Sequence, residues 1–359
     1  MKERFFHRFL RRFLLAAAAL LLAVAVLVIL FDPFYHFHGP LFGLKAVVTK
    51  SEYQCIGTIR NFSYDSVLCG SSTAENYNNR WFDELFGART VKAIKSSGNA
   101  ADLCYYLQEA FDGHEVKNVF YSLDLFSLEG DPQKNFLDDT MPLYLYDKNP
   151  FNDVKYLWNK DVLFEDIPYL LAMNLAGDYD EGASYNWWEY KTFSAKEALS
   201  HYERAETIQP EIPKEQYEAR LEGNLDLLEE MVVAHPETEF SFLLPPYSLL
   251  WWDNAYRNGQ AGEYLYARRR IFERLLPYAN ARILDFQEKE EIVLDLDNYM
   301  DPIHFSQEIN HWMAVEAASS DSAFLVKKEN AEGKITKMEE LFFRIVSEEA
   351  DRLFESKDS

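Results

Sequence analysis

Nineteen consecutive apolar side chains, Phe13 to Phe31, stand out from an otherwise mixed pattern near the start of the chain. Wound as a helix at about 1.5 Å per residue, such a run measures about 28 Å, close to the hydrocarbon thickness of a bilayer. The next stretch, "DPFYHFHGPL" (32–41), is rich in aromatics and proline and suits the membrane–water interface. Its His36 and His38 have a ligand-like H-x-H spacing, but no further ligand lies nearby, so packing at the interface is the expectation.

Farther along, short apolar runs alternate with segments of helical spacing. "DSVLCG" (65–70), "RTVKAIKSS" (89–97), "VKNVFYSLDLF" (116–126), "EFSFLLPPYS" (239–248) and "ARILDF" (281–286) read as strands, the fourth passing into a loop. A helix is predicted to begin near Thr73, with others over 99–111, 261–279 and 306–318, the last capped by Ser306. This alternation implies an α/β body with a mostly parallel sheet covered on both faces. Ligands on such sheets bind beyond the carboxyl ends of the strands, where Gly70, Asp124 and the "PPYS" loop with Tyr247 would gather.

Residues 127–236 break the alternation and carry Tyr144, Tyr146, Tyr156, Trp158, Tyr169, Tyr179, Tyr185, Trp187, Trp188 and Tyr190. They are expected to form a largely helical insertion. Its aromatic and acidic side chains would either stack on and hydrogen-bond sugars or make up the insertion's own core. The tail reads as one amphipathic helix, with apolar positions at Met338, Leu341, Phe342, Ile345 and Val346. The predicted organisation is therefore an anchor over 1–31, an α/β domain over 32–320 with its insertion, and a C-terminal helix over 321–359.

Charge sharpens this picture. Lys2, Arg4, Arg8, Arg11 and Arg12 against Glu3 give the first twelve residues +4, so the chain total of −23 leaves −27 on the body. A basic flank before the apolar run is expected to stay cytoplasmic, making a single-pass membrane protein with an extracytoplasmic body. "AVA" at 23–25 resembles a signal-peptide cleavage site, but the apolar run continues six residues beyond it, which favours an uncleaved anchor. So acidic a body repels nucleic acid and anionic lipid headgroups, and neither is expected as a direct partner. The three cysteines, Cys55, Cys69 and Cys104, have neither disulfide nor metal spacing, and the eight histidines contain no HExxH. Neither a metal nor an organic cofactor is expected.

Two short stretches carry candidate chemistry. In "LCGSSTAEN" (68–76), two serines follow a glycine at a strand-to-helix corner. Ser72 with Glu75 fits a capping box, which would make the serine structural. "NYMDPIHFS" (298–306) places Asp301 three residues before His304. A tight turn at that spacing lets the carboxylate hold the imidazole Nδ1–H and aim Nε2 outward as a base for a serine hydroxyl.

Together these motifs resemble the SGNH/GDSL hydrolase superfamily. More narrowly, the chain looks like the membrane-anchored, DltD-type proteins that modify bacterial cell-envelope polysaccharides and teichoic acids. The resemblance covers roughly residues 30 to 320 and implies a three-layer, flavodoxin-like α/β/α fold. It makes Ser72 of Gly70-Ser71-Ser72 the nucleophile, with Asp301 and His304 as the D-x-x-H pair. Its second block assigns the Gly98 N–H, beside that of Ser72, to the oxyanion. The third block departs from the family. Where an asparagine usually donates to the oxyanion, this chain has Asp124, and an oxyanion donor is typically worth about 2.7–4 kcal/mol. Asn76, Asn99 or another donor compensates, Asp124 binds a substrate hydroxyl, with Asn76 and Tyr247 as further substrate contacts, or turnover is slow.

The resemblance implies an extracytoplasmic serine esterase or O-acyltransferase acting on an envelope glycan. The reading from another class is a weakly active or inactive accessory protein that binds glycan or a membrane acyltransferase partner.

Overall fold

The computed structural model describes residues 2–136 and 141–355. Six strands form one sheet: β1 (Ser66–Gly70), β2 (Thr90–Ile94), β3 (Asn118–Ser122), β4 (Glu239–Leu244), β5 (Ala281–Asp285) and β6 (Leu325–Val326). Their order is β2-β1-β3-β4-β5-β6, with the first five parallel and β6 antiparallel at the edge. The protein is thus a mixed α/β chain with a mostly parallel sheet, as the alternation predicts. The five parallel strands fall within the predicted runs. β6, two residues long, is too short to leave a periodic signal.

β1 is buried at all five positions, because parallel strands are covered on both faces and read as continuous apolar runs. Alternate side chains serve the two covering layers. Phe120 meets Phe82 and Phe86 of the helix Asn79–Phe86, with ring centroids 4.6 and 4.5 Å apart. Phe240, on the opposite face, lies 6.2 Å from Phe111 of the helix Ala100–Gly113. The chain leaves β1 toward β2 on one side and returns to β3 on the other. The carboxyl ends of β1 and β3 therefore flank the point where the direction of winding reverses, the usual place for a ligand crevice.

The chain divides into two compact units, Met1–Phe62 with Thr140–Glu181 and Ser63–Asp139 with Gly182–Ser359. The stretch 127–236, expected as one insertion, is split between them. Its last helix, Glu218–Ala234, packs on Ala100–Gly113 as part of the layer covering the sheet.

In the first unit, the helix Lys2–Phe31 contains the apolar run. Asp32 follows in the left-handed region at φ 37° and accepts from the backbone N–H groups of His36, Phe37 and His38 (3.0, 2.7 and 2.9 Å). Tyr156 donates to the same carboxylate at 2.8 Å and stacks on Phe34, so this tyrosine of the aromatic-rich stretch is core. His36 lies 3.0 Å from Asp153, and His38 contacts the carbonyls of Gly39 and Ile29. No cluster of three metal-ligating side chains occurs among the described residues.

The tail helix Ala331–Arg344 continues through a π-turn (Ile345–Glu349) to Glu355, and residues 356–359 of the predicted helix lie outside the described residues. It packs on its own unit, burying Met338, Leu341 and Ile345, with Phe342 edge-on to Trp252. Ser306 stands at the cap position of the helix Gln307–Ala318, but its side chain makes no capping bond.

Phe120 is 1% exposed between two phenylalanines. Phe120→Ala is expected to cost the sheet-containing unit about 3–5 kcal/mol, read from denaturant unfolding. A loss below about 1 kcal/mol would mean this layer is not packed as described.

Candidate active site

β1 ends at Gly70, and the chain turns there because nothing larger fits. A Cβ at Gly70 would stand 2.7 Å from the Ala74 Cβ and 3.0 Å from the Ser122 Cβ. Ser71 takes the cap position of the short helix Ser72–Glu75, but its hydroxyl donates to Asp124 Oδ2 at 2.5 Å rather than capping. Ser72 is the first helical residue, with its Oγ 2.8 Å from His304 Nε2. The expected capping box does not form. Glu75 instead accepts from the Trp187 indole N–H at 2.6 Å, which leaves the Ser72 hydroxyl facing the imidazole.

The D-x-x-H turn closes on itself. Asp301 Oδ1 accepts the N–H groups of Ile303 and His304, both at 2.8 Å, and Oδ2 lies 2.6 Å from His304 Nδ1. Burial pushes the Asp301 carboxyl up. The His304 ring and the two amide donors more than offset this, leaving it below the usual aspartate value. An ionised carboxylate can only accept, so Nδ1 carries the proton and Nε2 is left to accept from Ser72. The turn is held by a bridge between Tyr299 and Phe305 and by two bonds to the loop after β4. Tyr299 donates to the Pro246 carbonyl (2.9 Å) and Ser248 to that of Pro302 (2.7 Å).

Asp124, Tyr247 and Asn76, expected to bind substrate, are buried and engaged internally. Asp124 Oδ2 accepts from Ser71 and also from Thr73 at 2.8 Å, and Oδ1 accepts from Tyr247 at 2.8 Å. The carboxylate thus grips the residues on either side of Ser72. Complete burial pushes its pKa up, against the lowering effect of these three hydroxyls. Asn76 Oδ1 accepts the N–H groups of Trp187 and Trp188 at 3.1 and 3.2 Å. The Gly98 N–H donates to the Lys95 carbonyl at 2.8 Å, so the oxyanion role would require that bond to be given up. Asn99 Oδ1 caps the helix Ala100–Gly113 through the Asp102 N–H at 2.9 Å, in a full capping box. His311 is exposed and lies against Trp81, 4.6 Å between ring centroids.

Three further residues shape the site. Asn310 is fully buried and donates to the Thr73 carbonyl at 3.0 Å, tying the helix after His304 to the Ser72 turn. Its signal in the sequence is a polar residue sharing one helical face with Met313, Ala314 and Ala317. Lys92, in the middle of β2, donates to the Glu75 carbonyl (2.7 Å), to Asn186 Oδ1 (2.9 Å) and to the Ser184 carbonyl. A lysine inside an apolar strand run was its cue. Trp187 stands edge-on to the His304 ring at 5.4 Å, held there by Glu75 and Asn76. It belongs to the aromatic-rich stretch 127–236, but no local pattern places it beside His304.

The chain matches no protein-family model and no curated protein. Among solved structures it is similar to one described as "a putative platelet activating factor from Streptococcus pneumonia". That similarity has 12% identity and a TM-score of 0.37, and covers 74% of this chain and 88% of the other.

Because the folded Asp301 carboxyl titrates below its unfolded value of about 3.9, its contribution to stability is complete above that pH. It is lost as pH falls through the lower folded value. Asp301→Asn should therefore melt several degrees below the parent at neutral pH, with the gap closing as the pH falls below the unfolded value of about 3.9. A gap that stays constant across a pH series of thermal melts would contradict the ionised pair.

Proposed function

We propose that the chain is a serine acyl-transfer enzyme of SGNH type, anchored in the bacterial cell membrane with its α/β body outside. The observation that carries this reading is the line Asp301–His304–Ser72, at 2.6 and 2.8 Å, beyond the carboxyl end of β1. His304 Nε2 takes the Ser72 proton as Oγ attacks an ester carbonyl. The imidazolium, stabilised by Asp301, then returns the proton to the departing alkoxide. A second hydroxyl, from water or from a sugar, releases the acyl group by the reverse sequence. The product is a hydrolysed ester in the first case and a transferred one in the second.

The Ser72 N–H at the start of its helix is one donor for the oxyanion. Asn76 is the better second donor of the two asparagines. Its bonds to Trp187 and Trp188 use only Oδ1, and its Nδ2 has no partner among the described residues. Asp124, in the family's asparagine position, holds the turn instead. Trp187, half-buried beside His304, places an indole at the site, the kind of side chain on which sugars stack, which favours an O-acylated envelope glycan. An N-terminal helix long and apolar enough to cross a membrane, preceded by basic residues, supports the proposed location.

Ser72→Ala is expected to lower kcat about 10⁴-fold on an aryl acetate or an O-acetylated glycan. Ser71→Ala, which leaves the Oγ–Nε2 pair in place, should lose far less. Undiminished activity in Ser72→Ala would remove the nucleophile, and a parent without activity on either substrate would favour the non-catalytic accessory reading.

A further inference from the structure

We infer that the segment 154–176 is a second membrane-contacting element, seated in the outer leaflet beside the anchor helix. This rests on the reading of Lys2–Phe31 as a membrane span. In the same unit, the anchor packs on Val154–Leu157 and Val162–Asp166. The Trp158 indole N–H donates to the Leu21 carbonyl at 2.9 Å. Leu21 lies ten residues before Phe31, about 15 Å down the helix and so near the middle of the apolar run. Protein that reaches this depth stands beside hydrocarbon, because the bilayer surrounds the outer half of the span.

The composition of the segment agrees. The helix Ile167–Ala176, "IPYLLAMNLA", is apolar all round, which in water requires burial on every side. Its one amide, Asn174, is spent internally. Asn174 Oδ1 accepts from the Lys45 N–H at 2.7 Å, and Nδ2 donates to the Lys45 carbonyl at 3.1 Å. Asp166, just before the helix, is paired with Lys50 at 2.5 Å. The outward apolar side chains are Phe164, 73% exposed, then Tyr169, Leu171 and Leu175, the last 89% exposed, with Lys155 and Glu165 the other exposed charges nearby. An unsatisfied apolar face continuous with a membrane span calls for acyl chains. The charged tip is a cost. Lys160 and Asp161 lie 3.7 Å apart and offset one another, and the long lysine stem can carry its ammonium toward the headgroups.

The test uses the full chain in phosphatidylcholine–phosphatidylglycerol vesicles, with a single NBD label on Leu20→Cys, Leu171→Cys, Leu175→Cys or Glu237→Cys. Cys55, Cys69 and Cys104 are buried and do not compete for label. Spin-labelled lipids should blunt emission at positions 20, 171 and 175, all blue-shifted, and leave position 237 unaffected. Quenching at 20 with bright, water-like emission at 171 and 175 overturns the inference while the anchor stands. Absence of quenching at all four positions overturns both.

Discussion

A carboxylate buried beyond the reach of water, Asp124, organises the candidate site. It gathers the hydroxyls of Ser71, Thr73 and Tyr247 and so fixes the turn in which Ser72 stands. Hydrogen bonds to a charged group are worth about 1.5–3 kcal/mol each, and a buried charge without them costs several. Once Asp124 is buried, the turn has little freedom. The aspartate faces the interior, below the serine, and works by positioning.

Around this node, separate parts of the fold are tied together by single polar contacts. Asn310 joins the helix after His304 to the Thr73 carbonyl. Tyr299 and Ser248 fasten the D-x-x-H turn to the loop after β4. Lys92 and Asn76 draw in 184–188 and set Trp187 against the imidazole. Ser72 and His304, far apart in sequence, are brought to 2.8 Å by these ties. No local force does this.

How much of this is legible in the sequence depends on how local the signal is. The five parallel strands show as apolar runs, because burial on both faces leaves a continuous pattern. The Asp301–His304 turn is legible because its spacing is local, whereas Ser72 is singled out only by the resemblance, since its own surroundings read equally as a helix cap. Trp187 is not legible, since its place is set by Glu75 and Asn76 across a loop. Asp124 and Tyr247, expected to meet substrate, are turned inward to one another for a related reason. Position at a strand end predicts closeness to a ligand, but whether a side chain points outward or inward depends on the hydroxyls that meet it. The division of 127–236 between two units is equally a matter of tertiary contact, and composition alone does not reveal it.

In the proposed mechanism, His304 makes the Ser72 hydroxyl a nucleophile. A fluorophosphonate probe on the folded full-length chain measures this directly by mass spectrometry of the labelled peptide. The account predicts one phosphonyl group per chain, on Ser72, with labelling sharply slowed in His304→Gln. Modification of Ser71 instead, no modification at all, or labelling indifferent to His304 would contradict it.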